Sequence, residues 1–333
     1  MGLLDLQPHK VSRDLSGYIT YIYGAGKTGK TTLASQMDDA LLVAFERGYN
    51  AIPGIIPIDI TSWAQFRKEV VKELKKPEVQ ARFKCIVIDT IDIAATLCEK
   101  YICTQNGIEQ LGDLGWGKGW KAMKAEFEET LRSIAQMGYA LFFISHAKDK
   151  TFTREAGTEY NQIIPSLAPT YNEIIKNMSD IYGYAHQVRD EAGYVSVVLT
   201  LRSQDGTVDT GCRFKYIAPE IPFDYQSLVK ALNDAIDKEA SMTSGKFVTD
   251  ESIAPVEQIS LDFDVLMNEF NEIVGKLQAV TGVDFSTAWA PRIVEITDRI
   301  LGKGKKVAEM SRDQVELLDL ILSDLKDAIG DGI

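Results

Sequence analysis

The chain has 333 residues, 45% of them hydrophobic and 25% charged, with a formal net charge of −12 at pH 7. This is a globular composition, with apolar mass for one large core and a smaller one in one or two domains. It excludes a helical membrane protein, because no apolar run approaches about 20 residues, and disfavours a protein that coats duplex DNA over its whole surface, while a local basic channel stays possible.

The opening MGLLDLQPHKVSRD lacks the charged-then-apolar design of a secretory signal, and Gly2 lacks the downstream Ser or Thr that myristoylation favours. A soluble cytoplasmic protein without a membrane partner is expected. Cys85, Cys98, Cys103 and Cys212 form no CxxC pair and only three histidines are present, so a structural zinc site is not expected. Reduced thiols, with Cys85 in an apolar run, fit a cytoplasmic setting.

In chain order, YITYIY (18–23) predicts a strand, and Thr31 to Met37 begins a helix. ALLVAFE (40–46) is a second strand, and Ser62 to Leu74 a helix with Ser62 and Gln65 at capping-box spacing. FKCIVID (83–89) is nearly all apolar, as suits a strand covered on both faces. Helices over 91–105 and 120–137 and a strand YALFFIS (139–145) follow. This βαβα order predicts a mainly parallel sheet with helices on both faces. IYGYAHQV (181–188) and YVSVVLTLR (194–202) flank a turn and predict a hairpin that extends the sheet in antiparallel fashion, closed by a helix near 225–240. The α/β domain is therefore placed at 1–240. Residues 241–258 are polar, carry Gly and Pro, and read as a linker. Three helical patterns, at 261–280, 286–301 and 311–329, predict a small α-helical domain over 259–333. From Ala240 onward 17 acidic residues face 9 basic ones, so this tail carries −8 of the −12.

The chemistry centres on Gly24-Ala25-Gly26-Lys27-Thr28-Gly29-Lys30-Thr31, which fits G-x-x-x-x-G-K-[ST] and lies between a strand and a helix. The glycines let the backbone curl so that successive N–H groups, through Thr32, point at phosphate oxygens. Lys30 is placed to reach the β and γ oxygens of ATP and the Thr31 hydroxyl to ligate Mg²⁺. Asp89, closing CIVID, is the second Mg²⁺ handle, or else caps the next helix. Thr90 follows it, where an AAA+ ATPase usually carries a water-activating Glu. The candidate base is instead Glu46, at the end of AFE, because the carboxyl ends of parallel strands face one crevice. Ser145 or His146, ending the fourth strand, is placed to sense the γ-phosphate by hydrogen bonding, or else His146 merely caps the strand end.

These residues resemble the RecA/RadA-type ATPase core. More narrowly, ITYIYGAGKTGKTTLASQM, LLVAFERG, ITSW, IVIDT, GDLGWGKGW and ISHAKDK are similar to compact phage-encoded RecA-like ATP-binding proteins linked to single-strand annealing and recombination. The resemblance spans about residues 15–220 and leaves out the helical tail. It implies a RecA-like P-loop ATPase fold, self-association into a ring or filament, and two loops lining a DNA channel, here about 107–120 and 146–165. In the first, Trp116 and Trp120 would stack on bases and Lys118 and Lys121 meet phosphates, with Asp113 and Glu109 weakening the positive potential; tryptophans at helical spacing otherwise simply pack. In the second, Lys148 and Lys150 would reach a neighbouring subunit's γ-phosphate as trans-acting cations, with Arg202 and Arg213 as rivals.

The function expected from these features is a DNA-stimulated ATPase acting on single-stranded DNA in phage recombination, annealing or repair. A P-loop kinase for a small molecule or nucleotide, and a non-hydrolysing switch that docks a replication partner through its acidic helical domain, are the alternatives.

Overall fold

The computed structural model describes residue 4 and residues 7–153, 159–242, 244–245, 247–251, 261–280 and 284–330. The chain divides into two compact units, Met1–Val256 and Glu257–Ile333. The first unit takes in part of the segment read as a linker, because Val248–Thr249 pairs in parallel with Val11–Ser12.

In the first unit the elements run β1 (Val11–Ser12), β2 (Ile19–Gly24), α1 (Lys30–Ala34), β3 (Ala40–Ala44), β4 (Pro57–Asp59), α2 (Trp63–Gln65), α3 (Pro77–Arg82), β5 (Cys85–Asp89), α4 (Ile91–Asn106), α5 (Lys118–Gln136) and β6 (Ala140–Thr153). They continue as β7 (Glu159–Pro165), α6 (Pro169–Met178), β8 (Ile181–Arg189), β9 (Val195–Thr200), β10 (Gly211–Cys212), β11 (Glu220–Pro222), α7 (Tyr225–Met242) and β12 (Val248–Thr249). The central sheet has the order β11-β9-β8-β2-β6-β5-β3-β4, with β10 beside β8 and β7 beside β6. From β8 to β4 every neighbouring pair is parallel. β6 therefore stands between the strand that leads into the glycine loop and the strand that ends in Asp89.

Alternation along the strands sends side chains to two cores. Tyr21, Tyr23, Ile86, Ile88, Leu141 and Phe143 face a core built with α4, α5 and α6. Ile22, Val87, Phe142 and Ile144 face the other, with Leu33 and Ala34 of α1 and Leu228 and Leu232 of α7. Strands covered on both faces need the apolar runs that IYG and CIVID supply.

Three features depart from expectation. β8 does not open the antiparallel extension; it joins β2 in parallel, and the antiparallel part begins with β9 and β11. The cause is the crossover helix α6, with Pro169 in its first turn and Tyr171, Ile174, Ile175 and Met178 buried at helical spacing. β6 does not stop at Ser145 but runs on to Thr153, and its outer half pairs with β7, so the expected 146–165 loop is largely a β-hairpin, with 154–158 outside the described residues. The helix from Ser62 forms, with the Ser62 hydroxyl accepting from Gln65 N, but it widens to a π-helix over Phe66–Val71.

The second unit packs α8 (Phe263–Ala279), α9 (Phe285–Ala288), α10 (Ala290–Leu301) and α11 (Val315–Ile329). Phe270, Leu277, Ile296, Leu318, Ile321, Leu322 and Leu325 form its core. Ser311 and Gln314 make the capping box before α11.

Candidate active site

The glycine loop follows β2, and two of its residues show why small side chains are required. A Cβ on Gly24 would lie 2.3 Å from the Ala185 carbonyl oxygen of the adjacent β8. Gly29 takes φ +88°, the left-handed conformation that brings the chain into α1. Lys30 is only 5% exposed, and its ammonium donates to the carbonyls of Gly24 at 2.9 Å and Ala25 at 2.7 Å. Burial lowers its pKa, with Asp89 opposing that shift. Thr28 is also buried, its hydroxyl donating to Ala25 O at 3.0 Å.

Asp89 reaches this loop because its neighbours two apart, Val87 and Cys85, face the core that contains α1. Its carboxylate accepts the Thr31 hydroxyl at 2.7 Å. Burial pushes the Asp89 carboxyl above its ordinary value, and the Thr31 hydrogen bond partly opposes this. The backbone carbonyl of Asp89 accepts from Phe45 N at 2.7 Å and Glu46 N at 3.1 Å, which fixes the end of β3 against the end of β5.

Glu46 and His146 then meet at 3.4 Å, Oε2 to Nε2, both side chains partly open to solvent. His146 pairs in register with Gly24, the first residue of the loop. Ser145, one residue earlier, is fully buried and its hydroxyl donates to the His146 carbonyl at 3.2 Å. The strand alternation turns Ser145 toward the tyrosine-lined core and His146 toward the face shared with α1, so the two are not equivalent candidates.

Thr31 and Asp89 offer adjacent hard oxygen donors, and a loop of backbone N–H groups with a buried lysine stands beside them. This donor set fits a Mg-nucleotide, since Mg²⁺ is usually held by one or two protein oxygens plus phosphate oxygens and water. Among the described residues no group of three or more His, Cys, Asp or Glu side chains could hold a metal.

The residues named for the trans-acting role are differently placed. Lys148 donates to the Ser166 carbonyl at 2.8 Å. Arg202 donates to the carbonyls of Cys212 and Phe214, and Arg213 pairs with Asp180 at 3.0 Å. Lys150 lies over the Phe152 ring, 4.7 Å from its centroid.

The Trp/Lys segment is more ordered than a flexible loop. Leu111–Leu114 forms a 3₁₀ turn, and Lys118, Trp120 and Lys121 belong to the first turns of α5. Gly115, Trp116 and Gly117 all take positive φ, and Trp116 is 99% exposed with Trp120 at 51%. Gly119 is buried, and the position admits only glycine because a Cβ there would lie 2.1 Å from the Leu111 carbonyl oxygen. Asp113 turns inward on its own turn, accepting from the N–H groups of Gln110 and Glu109. The signals missed in the sequence, Ser166 and Asp92, tie this region's neighbours together: the Ser166 hydroxyl donates to Asp92 of α4, and its N–H to the His146 carbonyl at 2.8 Å.

Residues 16–214 match the model of a family described as an AAA domain. The chain belongs to this AAA-domain family. It is a P-loop, nucleotide-binding ATPase, and its family membership holds with Thr90 in the place after Asp89. This AAA-domain protein is also similar to the SPbeta prophage-derived uncharacterized protein YorG of Bacillus subtilis (strain 168), 30% identical over 341 residues that cover 99% of each chain. The likeness to YorG thus takes in the helical unit, which the RecA-type resemblance left out. No helix among the described residues is long and apolar enough to cross a membrane.

Proposed function

We propose that this AAA-domain ATPase is a RecA-like, Mg²⁺-dependent enzyme that assembles into a ring or filament and acts on single-stranded DNA in phage recombination, annealing or repair, in the cytoplasm of the host cell. The backbone N–H groups from Gly26 to Thr32 bind the phosphates, Lys30 neutralises the β and γ oxygens, and Thr31 and Asp89 would hold Mg²⁺. The metal, when bound, draws charge from the phosphate oxygens. Glu46 orients the attacking water and takes its proton, and His146 hydrogen-bonds near the γ-phosphate. The acidic helical unit serves as a docking module for a replication or recombination partner.

The observation that carries the strand-binding part is Trp116: a fully solvent-facing indole, held by flanking positive-φ glycines and followed by Lys118, Trp120 and Lys121. An exposed aromatic beside lysines is what sequence-tolerant single-strand binding requires. The test is ATP turnover of the full chain with and without oligo(dT), together with particle size by light scattering. Turnover stimulated by the strand, and lost stimulation in Trp116→Ala/Lys118→Ala, is expected. Turnover indifferent to DNA in the wild-type chain overturns it.

A further inference from the structure

The helical stretch 63–76 departs from the acidity of the rest of the chain. It carries five basic residues against two acidic ones, in a protein of net charge −12. Both acids are engaged within the stretch: Glu69 accepts from Gln65 at 3.0 Å and Glu73 pairs with Lys76 at 2.6 Å. Arg67 reaches across to Glu126 of α5 at 3.3 Å. Lys68, Lys72 and Lys75 are exposed, and among the described residues their ammonium groups have no hydrogen-bond or ion-pair partner.

The three lysines share one face of the stretch. Together with Tyr101 of α4 they line a groove of about 400 Å³. The backbone under Lys68 is π-helical over Phe66–Val71, closed by Lys72 N donating to Arg67 O at 3.0 Å, five residues back, and it tightens to a 3₁₀ turn over Glu73–Lys75; wide turns of this kind recur at functional sites.

We propose that this groove is a second contact surface for single-stranded nucleic acid, with the three lysines on successive phosphates and Tyr101 offering its ring to a base. The proposal rests on the strand-binding function above and adds a surface distinct from the Trp116 turn. Lying along one groove, the three lysines offer up to three phosphate contacts to a single strand. A half-buried aromatic ring in the same groove as backbone-tracking cations suits a nucleic acid strand better than an acidic peptide, which has no bases to stack. α5 connects the two surfaces, because it carries Trp120 and Lys121 near its start and Glu126, the partner of Arg67, further along.

The test uses the full chain and the anisotropy of fluorescein-labelled oligo(dT) over a salt series, with thermal melts as the control for folding. Lys68→Gln/Lys72→Gln/Lys75→Gln is expected to bind at least about tenfold more weakly, and the slope of log affinity against log salt to flatten by about 2, or about 0.7 per lost phosphate contact. Tyr101→Ala is expected to weaken binding about fivefold or more with the slope kept. If the wild-type chain binds the strand and the triple variant keeps both affinity and slope, the groove is overturned while the Trp116 surface stands. If the wild-type chain binds no strand, the function and the groove both fall. If poly-glutamate displaces the oligonucleotide from the wild-type chain as well as unlabelled oligo(dT) does, the groove is a dock for acidic protein and the proposal is overturned.

Discussion

The Thr31 hydroxyl donates to the Asp89 carboxylate at 2.7 Å, joining the first turn of α1 to the end of β5. Burial holds the Asp89 pKa above the ordinary carboxylate value. The folded chain therefore keeps this proton over a range where the unfolded chain has lost it. Stability present below the ordinary value is lost as pH rises through the raised one. Asp89→Asn keeps an acceptor for Thr31 and removes the buried charge. In nucleotide-free protein at neutral pH it is expected to raise the melting temperature by about 2–4 °C, the shift about 1 kcal/mol produces in a domain of this size. The further rise that Mg-ATP gives the wild-type chain should disappear, which differential scanning fluorimetry with and without Mg-ATP would show.

Lys30→Ala removes the ammonium beside the loop carbonyls. ATP turnover, followed by phosphate release, should fall at least about 100-fold. A variant that hydrolyses ATP normally would remove Lys30 from the phosphate site.

Glu46→Gln keeps the side-chain shape opposite His146 and removes the base. The expected loss in kcat is about 10²–10⁴-fold, with ATP affinity retained in equilibrium binding. His146→Ala should lose less, because it removes a hydrogen bond and not the proton acceptor. Unchanged kcat in Glu46→Gln would place the base elsewhere.

Gly24→Ala puts a methyl group 2.3 Å from Ala185 O. Because that contact is backbone, β2 and β8 must separate, at a cost of about 1–3 kcal/mol. Denaturant unfolding should report that loss, and an unchanged midpoint would mean the strands are not this close.

Asp113 is held below the usual carboxylate range, first by the Gln110 N–H and also by that of Glu109. A depressed value contributes order above the ordinary carboxylate pKa and loses it as pH falls through the lowered one. Limited proteolysis within 109–117 should therefore quicken in strongly acid buffer. In Asp113→Ala it should already be quick at neutral pH and change little on acidification.

What the sequence disclosed was local. The glycine loop, the apolar run ending in Asp89 and the helical periodicity beyond residue 260 each carry their signal within a few residues. What it hid depended on distant partners. The outer half of β6, His-Ala-Lys-Asp-Lys-Thr, is polar enough to pass for a loop until β7 pairs with it. The parallel sense of β8 follows from α6, whose signal is short, Pro169 and then apolar residues at 171, 174, 175 and 178 within a single ten-residue helix. Gly119 looks like flexibility and is instead a site of close approach to Leu111. That Glu46 lies near His146 rests on the order of three strands, which no local pattern encodes.

The alternation of Ser145 and His146 along β6 has a consequence for how this gene can change. The imidazole is sorted to the nucleotide side, and the hydroxyl to the tyrosine side, only by odd and even position in an unbroken strand. Substitutions upstream can be absorbed by repacking, but a single-codon insertion or deletion between residues 140 and 145 would exchange the two faces at once. Sequence drift along this strand should therefore proceed by replacement and not by change of length.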